Sequence, residues 1–422
     1  MSSVRVVPAV VRGSTFAPPS KSYTHRALVV GHLAEREYRV LDPLDSEDTR
    51  ATAAGVGVLG TPVTLRRGIW TVRPRRGTSR RPRPTIHCGE SGTTLRFLTA
   101  VAARSDRRVT LGGRGRLPQR PMEGLLRALR SLGTECRLDP RGHGVQVRGP
   151  LRAGAVSLDA SVSSQFTSAL LLVLPTMRGD SIVRLTGPIV SEPYLDATLA
   201  ILSRHRVTVR RKGRSLRIPG GQAYRGTSFR PPGDASSAAY LWVAAAITGG
   251  DVDIRGLDSA LPQADLAVLP LLESTGAEVA RRRSGIRVRG RSFRPFRIDL
   301  TDAPDLYPLA GVLAASIPGR SRIEGAAHVA LKESDRKRAT ADLARAFGAR
   351  VNDRAGGLEI VGRETLEPVR VPDLPDHRLV MSAAVGALAA RGESFVGEER
   401  AVEKSFPAFW TELARLTGGP GR

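Results

Sequence analysis

The chain has 422 residues, 41% hydrophobic and 25% charged, which is enough apolar surface for one large or two mid-sized cores and excludes a disordered or collagen-like chain. No apolar run reaches the roughly eighteen residues of a membrane helix, and the opening MSSVRVVPAVVRGS lacks the apolar stretch of a signal peptide; a cytoplasmic protein with no membrane partner is expected. The net charge of +25, from 65 basic against 40 acidic residues, points to anionic partners. Only five cations are lysines, namely Lys21, Lys212, Lys332, Lys337 and Lys404. An arginine excess of this kind fits a codon bias, which makes the remaining lysines informative. Two cysteines, Cys88 and Cys136, make neither a disulfide framework nor a zinc ligand set.

Six modules follow one another along the chain. The first opens with the Ala/Leu-rich helix of PPSKSYTHRALVV, continues through the strand YRVL to a second helix ending at Gly60, and closes with the hairpin VTLRRGIWTV. GESGTTLRFLTAVAA, RRVTL, Gly133 and CRLDPRGHGVQV repeat the series, as do SVSSQFTSALLLVLP, SIVRL, His205 and VTVRRKGRSLRI. Next come GDASSAAYLWVAAAI, DVDI, Gly276 and EVARRRSGIRV, and then DAPDLYPLAGVLAAS, SRIE, Gly348 and RVNDRAGGLEIV. The last module is DHRLVMSAAVGALAA, ESFV and Gly418. Anchors at Ser20, Ser91, Ser163, Ala235, Asp305 and Asp376 are spaced by 71, 72, 72, 70 and 71 residues. The second-helix ends, where glycine suits the left-handed residue after a helix, are spaced by 73, 72, 71, 72 and 70.

A period of about 71 residues exceeds the 20 to 50 of solenoid repeats, so each module should pack as a unit of strand, helix, strand, helix, strand, strand. Three modules would make a domain of about 210 residues, and two such α/β domains fill the chain. The phase also explains Arg66 to Arg83, with eight arginines and no acid. It falls at a regular hairpin position and reads as a solvated basic surface, with polyanion contact the alternative.

Helix starts attract anions through free amides and the helix dipole. Ser20, Lys21, Ser22 and Arg26 put two cations at one such start; Gly92 allows close backbone approach at a second; Ser163, Ser164 and Gln165 offer polar groups at a third. Gln119-Arg120-Pro121, Ser191-Glu192-Pro193-Tyr194, Lys332-Glu333-Ser334-Asp335-Arg336 and Lys404-Ser405 open second helices. A need for a compact ammonium is expected at Lys21, Lys332 and Lys404, whereas Lys212 and Lys337 read as surface residues.

In this order, PPSKSYTHRAL, SGTTLRF, QRPM, SVSSQF, SEPYLD, GDASSAAY, APDL, KESDR, DHR and VEKSFP resemble the enolpyruvyl transferases, specifically the 5-enolpyruvylshikimate-3-phosphate synthase family, from Pro18 to Pro407. The resemblance implies transfer of the enolpyruvyl group of phosphoenolpyruvate to the 5-hydroxyl of shikimate 3-phosphate, by addition and elimination through a tetrahedral intermediate, with no metal or organic cofactor. It implies a two-domain inside-out α/β barrel with three modules per domain: residues 1–19 with 233–422, closed by the N-terminal segment, and residues 20–232, the active site lying in the cleft between them. A monomer is expected.

Carried over by motif, Lys21, Ser22, Arg26, Ser163, Ser164, Gln165, Ser191, Tyr194, Asp305 and Lys332 would hold shikimate 3-phosphate. Lys21, Gly92, Arg120, Gln165, Glu333, Arg336, His377, Arg378 and Lys404 would hold phosphoenolpyruvate, arginine gripping its oxygens in pairs. Asp305 would be the proton acceptor, Glu333 the proton donor and acceptor at the methylene carbon, and Lys21 an aid to phosphate departure. The plainer readings are an N-cap for Asp305 and a surface charge network for Glu333. Glu90 stands where many members have asparagine, and His328 and Ala330 also depart from the pattern. The sister enzyme acting on UDP-N-acetylglucosamine uses a cysteine in the loop that here reads LGGRGRLPQRP, which has none. A basic nucleic-acid-binding protein is the alternative from another class, but it would interleave aromatics with its cations, and aromatic content is 5%.

Overall fold

Ser91, Ser163, Asp234 and Asp376 each precede a long apolar helix and accept an N–H from its first turn: that of Thr94 (3.2 Å), Gln165 (3.3 Å), Ser237 (2.8 Å) and Arg378 (2.9 Å). The helices so started are Gly92–Ala102, Ser164–Val173, Ala235–Thr248 and His377–Leu388. Two members of the series begin differently. Helix Lys21–Leu33 follows Ser20, whose side chain makes no capping bond, and Asp305 sits inside a 3-10 turn, Pro304–Leu306, ahead of helix Tyr307–Ala315. Asp305 is therefore not an N-cap, and its carboxylate is available for other work.

The computed structural model describes residues 3–73, 84–139, 142, 144–291, 293–325, 327–374 and 376–418. Residues 74–83 of the basic stretch lie outside them, as do three residues of the turn in the hairpin CRLDPRGHGVQV. The chain divides into two compact units, one of Met1–Pro18, Gly233–Ser259 and Gln263–Arg422, the other of Pro19–Pro232 with Ala260–Pro262.

In the second of these units, helices Lys21–Leu33, Gly92–Ala102 and Ser164–Val173 pack on one another and are buried on nearly every side. Sheets lie outside them. Ala155–Asp159 runs parallel to Ser181–Thr186, which pairs antiparallel with Ser215–Ile218 and through it with Arg210–Lys212. Thr85–His87, Val109–Gly112, Gly144–Arg148 and Glu135–Leu138 repeat that order. Alternate residues of Ala155–Asp159 are buried and exposed, so the sheet turns one face inward to the helices and the other to solvent. The fold is inside-out in this sense.

The first unit repeats the scheme with Ala235–Thr248, Tyr307–Ala315 and His377–Leu388 as its inner helices. Its sheets are Arg12–Phe16, Asp251–Arg255, Gly285–Arg289 and Glu278–Arg282, then Arg297–Asp299, Gly319–Glu324, Gly357–Gly362 and Arg350–Arg354. The third sheet, Arg370–Val371 and Ser394–Glu398, is completed by the N-terminal strand Ser3–Val6.

The chain passes between the two units after two strands. Arg12–Phe16 leads into helix Lys21–Leu33 but pairs with Asp251–Arg255, while Ser228–Phe229 leads toward helix Ala235–Thr248 but pairs with Tyr38–Leu41. Each completes a sheet in its own unit and feeds a helix in the other.

The second-helix ends hold phase with one correction. Gly60, Gly133, Gly276, Gly348 and Gly418 take positive φ, but His205 has φ −101° and the left-handed residue of that module is Arg206, at φ 60°. Here the helix is capped one residue later than the repeat spacing predicts. His205 instead turns inward, its Nε2 2.7 Å from the Tyr38 hydroxyl and its Nδ1 2.7 Å from the Ile201 carbonyl.

Close packing between strands sets one sharp requirement. A Cβ on Gly357, which opens a central strand, would come 1.8 Å from the Ile323 carbonyl oxygen, a backbone atom that cannot swing aside. Gly357→Ala is expected to destabilise the protein by at least about 2 kcal/mol, measured as a lowered midpoint in urea unfolding, and an unchanged midpoint would contradict the strand geometry.

Candidate active site

Functional side chains collect at the starts of the inner helices in each unit, and the two groups are described separately. In the unit containing Lys21, its Nζ pairs with Asp48 Oδ2 at 3.2 Å. Arg26, one turn along the same helix, is buried and engaged at all three nitrogens: Nε donates to Thr198 Oγ1 (2.9 Å), Nη1 to the Ser22 carbonyl (2.9 Å) and Nη2 to the Tyr194 carbonyl (2.8 Å). Burial pulls its proton affinity down to about 10. Arg26 thus ties the helix start bearing Lys21 and Ser22 to the start of helix Glu192–Arg204. There Ser191 takes left-handed φ 55° without being a glycine, a local strain of the sort that accumulates at binding sites.

A second cluster joins Gly92, Arg120 and Gln165. Arg96 Nη1 donates to Gln165 Oε1 at 2.6 Å and Nη2 to the Pro121 carbonyl at 3.0 Å, while Gln165 Nε2 donates to Thr93 Oγ1 at 3.0 Å. With its oxygen held by Arg96, the Gln165 amide has one defined orientation. Arg120 lies directly against Gly92, where a Cβ would approach its guanidinium carbon to 2.7 Å. A hydroxyl chain connects the two clusters, from His25 Nδ1 to Thr52 Oγ1 (2.7 Å), Thr52 to Thr94 (2.6 Å) and Thr94 to Ser91 (2.8 Å).

In the other unit, Arg336 is the hub. Its side chain is 1% exposed and donates Nη1 to Asp305 Oδ1 (2.7 Å), Nη2 to Glu333 Oε2 (2.8 Å) and Nε to Asp376 Oδ2 (2.7 Å). Arg378 Nη2 holds the second Asp305 oxygen at 2.6 Å. Burial alone would favour the neutral acid at Asp305, but Arg378, Arg336 and Lys332 outweigh it and keep the carboxylate ionised far below the usual range. Asp376 accepts a further bond from Ser334 (3.3 Å) and pairs with His377 Nδ1 at 3.3 Å. His328 lies nearby, and burial, then Lys332, brings it down to about 4, so its ring is neutral at physiological pH. Lys404 ends the 3-10 turn Glu399–Lys404, which packs on helix His377–Leu388.

Glu333 therefore belongs to a buried network and not to a surface one. Removing one member of such a cluster leaves an uncompensated buried charge, at a cost of about 3–5 kcal/mol. Among the described residues no group of three or more His, Cys, Asp and Glu is arranged to hold a metal ion. Cys88 and Cys136 are buried and free, with burial pushing their thiols up to about 12 and 11, so neither is a reactive thiolate.

Four participants were not singled out from sequence. Asp48, Arg96, Thr198 and Asp376 all orient a motif residue. Arg96 carries a visible signal, a lone charge inside SGTTLRF on a helix whose other residues are all uncharged. Asp376 stands in the quoted DHR, where capping accounts for it on sequence grounds. Asp48 and Thr198 carry no such mark.

The sequence matches the profile of the EPSP synthase (3-phosphoshikimate 1-carboxyvinyltransferase) family over residues 7–413. It is 40% identical to the 3-phosphoshikimate 1-carboxyvinyltransferase of Halobacterium salinarum, over 97% of this chain and 98% of that protein. With the enzyme of the same name from Methanocorpusculum labreanum it shares 37% identity over 96% of each. The structure resembles that of EPSP synthase from Acinetobacter baumannii with a TM-score of 0.80 and 26% identity, covering 98% of this chain and 97% of the other. The chain belongs to the EPSP synthase family.

The contact at Gly92 yields a structural prediction. Because the clashing group is the end of a long side chain, Gly92→Ala should fold with a melting temperature near wild type while its Arg120 guanidinium is displaced. A crystal structure of the variant with Arg120 in its original place would refute this.

Proposed function

We propose that this protein transfers the enolpyruvyl group of phosphoenolpyruvate to the 5-hydroxyl of shikimate 3-phosphate, releasing phosphate. The observation that carries the reading is the Asp305 carboxylate gripped by Arg336 and Arg378, with Glu333 on the same Arg336: two acids of different surroundings held by one cation. In the addition step the 5-hydroxyl oxygen bonds to carbon 2 of phosphoenolpyruvate, its proton passes to Asp305, and Glu333 delivers a proton to the methylene carbon. In the elimination step Glu333 takes a proton back from the methyl group, the bond from carbon 2 to the phosphate oxygen breaks, the proton held by Asp305 is returned through solvent to the departing phosphate, and Lys21 neutralises the charge that remains on it.

The remaining groups bind. Ser22, Arg26, Ser163, Ser164, Gln165, Ser191, Tyr194 and Lys332 are assigned to shikimate 3-phosphate; Gly92, Arg120, Gln165, Arg336, His377, Arg378 and Lys404 to phosphoenolpyruvate. Both sets serve one reaction. Arg26 acts chiefly by bracing the helix starts, since its guanidinium is engaged on three sides.

The test is phosphate release on mixing the protein with both substrates, against UDP-N-acetylglucosamine in place of shikimate 3-phosphate. Release with the first pair alone is expected; release only with the second would assign the chain to the sister activity. Lys21→Ala and Asp305→Ala should each lower kcat by at least about a hundredfold while circular dichroism is unchanged. Wild-type rates in either would remove that residue from the mechanism.

A further inference from the structure

Each of the three helix starts assigned to shikimate 3-phosphate in the unit running from Pro19 to Pro232 has a buried polar residue one turn further along its helix. Arg26 lies four residues after Ser22 on helix Lys21–Leu33, Ser168 four after Ser164 on helix Ser164–Val173, and Thr198 four after Tyr194 on helix Glu192–Arg204. Residues four apart share a helix face. The three helices pack on one another, and Thr198 joins the other two residues: its Oγ1 accepts from Arg26 Nε at 2.9 Å and donates to Ser168 Oγ at 2.8 Å, with the Tyr194 carbonyl 3.1 Å away. One hydroxyl therefore ties three helices together directly beneath the groups that would touch substrate.

The surroundings of Arg26 are neutral. Its guanidinium meets a hydroxyl, two carbonyls and the ring of Phe97, 5.3 Å from its centroid, and among the described residues no carboxylate pairs with it. Arg336 differs, since three carboxylates surround it. Burial lowers Arg26 only to about 10, so it remains a cation at neutral pH. A buried cation held by dipoles still presents its charge to an anion, whereas one paired with an acid presents little net charge. We infer that Thr198 is a positioning residue for shikimate 3-phosphate: with Ser168 it fixes Arg26 and the three helix starts through an uncharged acceptor, leaving the guanidinium charge for the anionic substrate. This rests on the reading that these helix starts hold that substrate. A hydroxyl suits position 198 because it accepts from Arg26 and donates to Ser168 at once. Valine has the same shape and does neither, serine does both, and aspartate accepts but adds a charge.

The test is calorimetric titration with shikimate 3-phosphate, together with kcat and both KM values, for wild type, Thr198→Ser, Thr198→Val and Thr198→Asp. Thr198→Val is expected to raise Kd and KM for shikimate 3-phosphate by at least about tenfold while KM for phosphoenolpyruvate stays within about twofold. Thr198→Ser should stay within about threefold of wild type. Thr198→Asp should weaken shikimate 3-phosphate by at least about tenfold although it keeps an acceptor for Arg26, a result that loss of a hydrogen bond alone would not give. This arm decides the matter if Thr198→Val does not fold, since Arg26 supplies the introduced acid with a partner. Wild-type affinity in Thr198→Val or Thr198→Asp, or an equal loss for both substrates, overturns the inference. A wild-type protein that does not bind shikimate 3-phosphate would instead overturn the assignment of the site itself.

Discussion

A guanidinium group taken almost wholly out of water is tolerable only when its charge and its donors are met, because desolvating an ion costs on the order of several kcal/mol. Arg336 imposes this condition on its surroundings. Each of its three nitrogens is matched to a different carboxylate, from Asp305, Glu333 and Asp376, so the position of one side chain fixes three acids contributed by separate parts of the chain. Arg378 completes the arrangement by taking the other oxygen of Asp305. The result is an array of acids held in place by its own ion pairs. The other unit follows the same logic with hydrogen bonds in place of ion pairs, since Arg26 braces two helix starts and Arg96 orients an amide.

The repeat was legible because six helices and the strands between them keep period near 71 residues, and no accident of composition holds phase that long. Its weak point was local. At His205 the spacing singled out a residue one place early, because the left-handed turn falls on Arg206, an arginine that carries no glycine-like signal. Asp305 gave the opposite lesson. In sequence it occupies a capping position, and only the 3-10 turn around it and the arginines on its oxygens show that it does not cap. Asp48 and Thr198 had no mark at all, because burial beside a distant charge is a property of tertiary packing and leaves no local pattern. The partner of a two-residue strand such as Ser228–Phe229 was not legible either, since so short a segment does not announce what it pairs with.

The arginine excess also has a structural accommodation. Arg210, Arg211 and Lys212 of one edge strand are exposed, while Arg320, Arg322 and Arg354 converge on Glu359 in the middle of another sheet. Hydrogen bonding from Asn352, set against the cost of burial and joined by these arginines, holds that carboxylate down to about 2. One buried acid thereby gathers three cations that would otherwise repel one another across neighbouring strands. The lysines differ in placement: Lys21 reaches Asp48, and Lys332 acts on Asp305 and His328. Lys337, by contrast, binds the Arg354 carbonyl at 2.6 Å and pairs with Asp353, away from the acid cluster.

The pairing of early strands with late ones sets an order of assembly during synthesis. Everything needed to finish the sheets of the unit running from Pro19 to Pro232 has left the ribosome once Phe229 emerges. The N-terminal strands have no such early partner: Arg12–Phe16 waits for Asp251–Arg255, and Ser3–Val6 for Ser394–Glu398, far later in the chain. These early strands are thus among the last to be secured, and until then they are unpaired edges that the nascent chain must keep from other partners.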